Sequence, residues 1–433
     1  MAWLALAVFV AIVVAILLGY PVSVSLGGVA LVAGYWLLGP AFMQFLPSRL
    51  LGTFSSYVLL AVPMFILMGL ALQRSGLAAV LMRTVGGALG RTPGGLGLAV
   101  LGVGALLAAS TGIVGASVVT LSLIALPVMD AAGYRPSFAS GVVAASGTLG
   151  QIVPPSIVLV LLGSVMQVTI GDLFAAALWP SLVLIAAYAL VIVGVAIGRP
   201  AWAPAVAPAL IAADGLTRAR RWLGIGGPIL LIAAVLGSIL AGAASPTEAS
   251  GVGAVLALGL LFASGERDWR TFEDVGREAL RLSGMVYLIL LGAGTFALVF
   301  RGLEGDTFLV EWVTGAGLEA RTFVLALMLV VFVAGFFIDF IEIIFIVVPV
   351  ALPLVRALEI DPVWLSVLLA INLQTSFLTP PFGFSLFYLR GAAPAHYRTA
   401  DVYRGIAPFV ALQLGLLLAI FLAPQWFGLR SGG

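Results

Sequence analysis

The chain reads as an all-α integral membrane protein built from two inverted repeats, with about ten spanning helices and two re-entrant hairpins. Three observations carry that reading. Its 433 residues are 62% hydrophobic and only 9% charged, whereas soluble domains are roughly half apolar and about 25% charged. Its proline landmarks recur: Pro127, Pro136 and the pair Pro154-Pro155 return 226 residues later as Pro353, Pro362 and the pair Pro380-Pro381. Its basic residues, all arginine, fall mainly on alternate connections, as expected when an odd number of spans inverts the second half.

Apolar runs predict spans near 2–19, 22–38, 55–73, 137–165 and 178–198, then 224–243, 247–264, 283–300, 362–389 and 406–424. These approach the roughly 20 residues that a spanning helix needs. Barrel strands would alternate apolar and polar residues instead. The first 19 residues carry no positive charge and no clear cleavage site, so they read as a first membrane helix rather than a signal peptide. Segments 97–129 and 322–355 are apolar but interrupted, by Ser110-Thr111-Gly112 in one and by the stretch from Gly335 to Glu342 in the other. Limbs of about 12–17 residues fall at or below spanning length, which predicts hairpins with tips inside the membrane. Segments 74–91 and 301–320 read as amphipathic interfacial arms. The domain reading is a first repeat at 1–198, a cytoplasmic Pro/Ala/Arg-rich linker at 199–222 and a second repeat at 223–433.

With the N-terminus outside, 15 of the 20 arginines lie on the inner side, including Arg74, Arg83, Arg91, Arg199, Arg218, Arg220 and Arg221. The outer loops hold Glu304, Asp306, Glu311, Glu319, Glu359 and Asp361. Arginine bias in short loops sets orientation, and both termini are expected outside.

A proline pair removes two backbone donors. Inside a membrane such a break is tolerated where it is buried in protein or lines a polar cavity. Breaks at matching positions of two halves are the pattern of a secondary transporter with its site near the midplane. The carbonyls expected to be freed are those of Gly150, Gln151, Ser376 and Phe377. Such oxygens suit sodium, and Ser110 and Thr111 at the first tip could complete a shell; Ser376 and Thr379 flank the second break, and Asn372 matches Ser146 at the repeat spacing. The plainer alternative is kinked, closely packed helices. Asp339 and Glu342 are the only acids of the second hairpin, and carboxylates at that depth are functional candidates by default. Asp339 either favours a cation or caps the hairpin tip; Glu342 either carries a proton or faces water or a polar partner. Glu248, after Pro246-Thr247, reads as a helix cap. His396, the only histidine, reads as a solvated loop residue. Without cysteine or lysine, disulfides, thiolate metal sites and a Walker loop are excluded.

Several stretches resemble the DctM-like large membrane subunit of tripartite ATP-independent periplasmic (TRAP) transporters. They are AASTGIVGASVV at 108–119, AAGYRPSFASGVVAASGTLGQIVPPSIVLVLLG at 131–163, SPTEAS at 245–250, GFFIDFIEIIFIVVPVALP at 335–353 and INLQTSFLTPPFGFSLFYLRG at 371–391. The resemblance implies an elevator-type ion-transporter fold in a bacterial inner membrane, importing with sodium as the coupling ion. It implies a small four-helix membrane subunit and a periplasmic substrate-binding protein as separate partners, neither fused to this chain. No organic cofactor and no nucleic-acid partner are expected. A first sodium site maps onto Thr111, Gly112, Ile113, Gly150, Val153 and Pro155, and a second onto Gly335, Ile338, Ser376, Thr379 and Pro381. The tip here is Thr-Gly-Ile where Ser-Gly-Ser is commoner, so Ile113 supplies only backbone, and Glu342 in DFIEI is an added acid. Further candidates for lining a substrate site are Ser110, Ser146, Asp339, Glu342 and Asn372. The substrate implied is a small organic acid. The alternatives are a single-component sodium- or proton-coupled dicarboxylate/citrate-type symporter, an intramembrane hydrolase using Ser146 or Ser110, and a passive channel. The hydrolase lacks a credible base.

Overall fold

The computed structural model describes residues 2–207 and 217–432. The side chains of Ala2, Ser110 and Thr111 lie outside that description, as does the 208–216 part of the linker. The described residues fold almost entirely into helices, eight of them long and apolar enough to cross a membrane.

Helix boundaries recur at the proline spacing. Val114–Ala131 and Phe340–Ala357 start and end 226 positions apart, and so do the starts of Pro136–Thr148 and Pro362–Leu378. Packing recurs with them. Val22–Leu38 lies on Trp269–Gly302, and Pro246–Ala263 lies on Ala61–Arg74, so each pair joins a helix from one half to a helix from the other. A second block forms where Pro136–Thr148 packs on Thr399–Leu422. There a Cβ on Gly141 would sit 2.1 Å from the Gly405 carbonyl, so the backbones approach as closely as small residues permit. Gln413 Nε2 donates to the Tyr188 hydroxyl at 2.6 Å, fastening Thr399–Leu422 to Ile170–Gly198.

The segments just before the breaks are buried on every side: residues 137–148 in one and 364–378 in the other. A helix buried on every face belongs inside a bundle, and the serines, threonines, Asn372 and Gln374 of these two are buried with it.

Both hairpins form, with limbs Gly95–Thr111 and Val114–Ala131, then Ala320–Ala334 and Phe340–Ala357. Their second limbs have 18 residues each, longer than expected, because Pro127, Pro349 and Pro353 are carried inside the helices rather than ending them. The spans expected at 178–198, 283–300 and 406–424 begin earlier, as Ile170–Gly198, Trp269–Gly302 and Thr399–Leu422. Trp269–Gly302, at 34 residues, is about 50 Å long at 1.5 Å per residue. Its first turns are polar and include an exposed Arg277–Glu273 pair at 2.6 Å.

The stretches expected as arms contain the helices Leu77–Leu89 and Gly305–Gly315. A short helix at Leu46–Phe54, which buries no side chain, occupies a stretch that the apolar pattern left unassigned. Ser245 and Glu248 form the expected cap, with Ser245 N donating to Glu248 Oε2 at 2.8 Å and Glu248 N donating to Ser245 Oγ at 3.3 Å. In the described parts of the 199–222 linker the guanidinium groups of Arg135 and Arg199 both stack on the Trp202 ring, and Arg218–Leu240 starts inside the linker.

Candidate functional site

Each hairpin tip meets a break. At the first tip Gly112 has φ +60°, and a Cβ there would lie 3.1 Å from the backbone nitrogen of Ile157, where helix Ile157–Met166 begins. Only glycine adopts that conformation at little cost while approaching so closely. A Cβ on Gly150 would lie 3.0 Å from the carbonyl of Ala108, near the end of the first limb. Between these contacts run Val153 and the cis Pro154-Pro155 bond, all buried. These two contacts bring the first tip against the stretch that carries Gly150, Val153 and Pro155; the Thr111 and Ser110 side chains lie outside the described residues.

The second tip repeats the arrangement. A Cβ on Gly335 would lie 2.1 Å from Ser376 Oγ, so the tip rests on the turn before the cis Pro380-Pro381 bond. Ile338 is buried beside it. Thr379 donates its hydroxyl to the Thr375 carbonyl at 2.6 Å. Pro381 is exposed, and its carbonyl accepts the Tyr403 hydroxyl at 3.0 Å. The first break is sealed in protein and the second is open on one side.

The expectation of free carbonyls needs correction at three of its four positions. Ser156 Oγ donates to the Gln151 carbonyl at 3.0 Å, Ser385 Oγ to the Phe377 carbonyl at 2.5 Å, and Thr379 N to the Ser376 carbonyl at 3.1 Å. Burial is the cause: a backbone group cut off from water needs a partner. A carbonyl has two lone pairs, so one donor leaves it able to face an ion.

Other candidates are placed differently from their expectation. Ser146 is buried, bonds its own helix at the Val142 carbonyl (2.6 Å) and lies against Gly104 on the first limb. Asn372, at the matching position, donates to the Met328 carbonyl on the second hairpin at 2.7 Å. Asn372 bonds a hairpin limb to its broken helix while Ser146 only packs against one, and neither lines the cavity between the tips. Asp339 and Glu342 form a capping box at the start of Phe340–Ala357: Asp339 Oδ1 accepts from Phe340 N at 2.8 Å, and Glu342 Oε2 accepts from Asp339 N at 3.2 Å. Of Asp339's two alternatives, the geometry supports the cap, and Glu342 finds its polar partner in the tip backbone.

A cavity of about 300 Å³ opens between the tips. Its wall includes Ile113, Gly115 and Ala116 of the first hairpin, Asp339 and Phe340 of the second, and Tyr388 after the second break. Gln73, which also lines it, donates to Thr120 Oγ1 at 2.8 Å. Gln73 and Tyr388 are lining residues that the sequence reading missed; a polar residue closing an apolar span next to Arg74 was the available signal for the first.

His396 lies exposed in its loop, as expected, and has a partner there. Its Nε2 lies 2.9 Å from Asp130 Oδ1, where the first hairpin ends. Beside it, burial raises the Tyr397 phenol pKa, and the Asp130 charge adds to the rise.

The residues at the breaks suit a hard cation. Among the described residues no three His, Cys, Asp or Glu side chains cluster to hold a metal, so an ion there would be met by backbone, hydroxyl and amide oxygens, as in unwound transporter helices. The side-chain amides of Gln151 and Gln374, beside the two breaks, are fully buried with no hydrogen-bond partner among the described residues. Buried amides need a polar partner, and an ion or its water would serve.

Paired hairpins, broken helices and a chamber between them define a multi-pass helical membrane transporter. The fold is similar to that of the Alcanivorax borkumensis YdaH transporter, at TM-score 0.66 and 16% identity, covering 95% of this chain and 98% of that one. The model of the family "Tripartite ATP-independent periplasmic transporter, DctM component" matches residues 9–426, and the chain belongs to that family. It is 32% identical to the C4-dicarboxylate TRAP transporter large permease protein DctM of Pseudomonas aeruginosa, over 91% of this chain and 92% of that one. It is 27% identical to the isethionate TRAP transporter permease protein DctMQ of Oleidesulfovibrio alaskensis, over 94% of this chain and 63% of that one.

Proposed function

We propose that this chain is the large membrane subunit of a sodium-coupled, binding-protein-dependent importer of a small organic acid in a bacterial inner membrane, working by an elevator movement. The observation that carries the reading is the double meeting of hairpin tip and helix break, Gly112 on Ile157 and Gly335 on Ser376, with a chamber between the tips. Repeating helix boundaries and cross-half packing support two inverted repeats at 1–198 and 223–433, joined by the linker. In this reading the cross-paired helices Val22–Leu38, Ala61–Arg74, Pro246–Ala263 and Trp269–Gly302 form a fixed frame. The hairpins and broken helices travel as one body.

Sodium would be held at the first break by the tip backbone from Thr111 to Ile113 with Gly150, Val153 and Pro155. At the second it would be held by Gly335, Ile338, Ser376, Thr379 and Pro381. When bound it supplies positive charge that makes an anionic substrate tolerable at depth. The chain's own groups orient: the tip glycines admit the close approach, and the serine hydroxyls aim the carbonyls. Gln73 and Tyr388 offer polar contacts to the substrate. Gln73 adjoins Arg74 on the inner side, so the chamber faces inward here. Relatives that carry a C4-dicarboxylate and isethionate support a small organic anion. The family supports a small four-helix subunit and a periplasmic binding protein as partners.

The test is reconstitution in liposomes with both partners. An imposed inward sodium gradient should drive accumulation of whatever ligand the binding protein holds. If no gradient drives accumulation, sodium coupling is wrong.

A further inference from the structure

A second and larger cavity, about 550 Å³, lies apart from the hairpin tips. Arg49, Arg301 and Arg356 line it with a single carboxylate, Asp306. Arg301 lies 3.6 Å from Asp306. Arg356 donates to the Gln167 side-chain oxygen at 2.5 Å. Among the described residues neither Arg49 nor Arg356 forms an ion pair with a carboxylate. Arginine placement puts only five of the 20 arginines on the outer side, and three of those five gather here.

The walls come from two bodies. Arg49 and Arg301 belong to Leu46–Phe54 and Trp269–Gly302, on the frame. Arg356 belongs to the second hairpin, and Gln167 is the loop residue that follows Ile157–Met166, the helix after the first break. One helix links the two cavities: Asp339 at its start lines the chamber between the tips, and Arg356 near its end lines the larger one. Asp339 and Arg356 lie about 25 Å apart along that helix at 1.5 Å per residue, and Phe345 and Pro349 between them also line the larger cavity.

We propose that this larger cavity is an outer vestibule that binds a small organic anion, a carboxylate or sulfonate, between the frame arginines and Arg356. The proposal rests on the importer reading for the side of the membrane it faces. Arginine forks pair with carboxylates and sulfonate-like oxygens in bidentate fashion. Walls of one charge sign in a partly enclosed cavity raise the local concentration of the opposite ion. An anion held there would meet Arg356 on the very helix whose other end borders the inner chamber.

The chain has no cysteine, which allows a charge-selective test. Ser56→Cys and Ser164→Cys each put one thiol on the wall, from the frame and from the moving body respectively. Purified permease in lipid nanodiscs would be treated with an anionic sulfonatoethyl or a cationic trimethylammonioethyl methanethiosulfonate. The ratio of anionic to cationic labelling rates should fall about threefold to tenfold on adding Arg49→Gln and Arg356→Gln, and should shrink as salt rises. Succinate at 10 mM should slow labelling in the arginine-intact protein, while chloride at the same ionic strength should not. A ratio indifferent to the arginines overturns the proposal. So does a ratio that responds to them with no protection by succinate, because that outcome is a field without a site. If protection is seen but sodium gradients drive no uptake, the importer reading fails and the anion site stands.

Discussion

Ser385 Oγ donates to the carbonyl of Phe377 at 2.5 Å, closing the second helix break from eight residues downstream. The first break has a counterpart, Ser156 Oγ to the carbonyl of Gln151 at 3.0 Å, and Gln151 and Phe377 are themselves 226 positions apart. Each hydroxyl holds one lone pair of a buried oxygen and fixes where the other points. Ser156→Ala and Ser385→Ala should each cost about 1–2 kcal/mol, the penalty of an under-satisfied buried group. Thermal unfolding of the purified protein in sodium and in potassium chloride checks this. Each substitution should also shrink the extra stability that sodium confers, and equal losses in both salts would detach these serines from any ion site.

The second hairpin tip makes a sharper steric demand. A methyl on Gly335 would lie 2.1 Å from Ser376 Oγ and 2.9 Å from Ser376 Cβ. Gly335→Ala should therefore destabilise by about 1–3 kcal/mol, as overpacking does, and should abolish uptake while membrane insertion persists. Adding Ser376→Ala removes the nearer atom and should recover part of the stability. If the double variant is no more stable than Gly335→Ala alone, the tip does not rest on Ser376 in the way described.

The parts of this arrangement that are local in sequence were legible, and the parts that depend on distant partners were not. Pro136 and Pro362 open their helices as the first helical residues, and both proline pairs fall in the breaks. Those positions follow from the missing N–H, which needs no tertiary information. The first tip falls at Gly112-Ile113, at the end of the Ser110-Thr111-Gly112 interruption that marked it. By contrast His396 meets Asp130 across 266 residues, and nothing near either residue announces it. Asp130 and Arg356 occupy matching positions 226 apart, and each ties the end of a hairpin to a loop, through His396 in one case and Gln167 in the other. The motif is repeated while its chemistry is not, so a search for identical residues passes over it. The helix Leu46–Phe54 was missed because it is only nine residues long and buries nothing, so a search for apolar runs of spanning length passes over its amphipathic pattern. With it went Arg49 and the basic cavity.

The capping box at the second tip yields a test by charge removal. Asparagine caps helices about as well as aspartate, and glutamine replaces glutamate in a capping box. Asp339→Asn and Glu342→Gln should therefore keep stability within about 0.5 kcal/mol of the parent, whereas Asp339→Ala should lose about 1 kcal/mol. Glu342→Gln should leave the pH profile of uptake unchanged, since the carboxylate serves the tip backbone. A profile that shifts or flattens in Glu342→Gln would instead make Glu342 a proton carrier.

The hydrogen bond from Gln73 Nε2 to Thr120 Oγ1, at 2.8 Å, joins a frame helix to the first hairpin beside the chamber. On the elevator movement proposed above, this bond would exist only while the hairpin sits at its inward position and would bias the resting state toward it. One such bond contributes about 1 kcal/mol, which corresponds to about a fivefold change in the ratio of the two positions. Gln73→Leu and Thr120→Val should each lower inside labelling of an Ala116→Cys thiol by up to that factor. Ala116 lines the same chamber. Because both substitutions break one bond, the double variant should label no more slowly than either single variant, the non-additivity expected of residues in contact. Independent, additive effects would mean that the two side chains act separately. Unchanged labelling in both single variants would mean that the bond does not hold the hairpin inward.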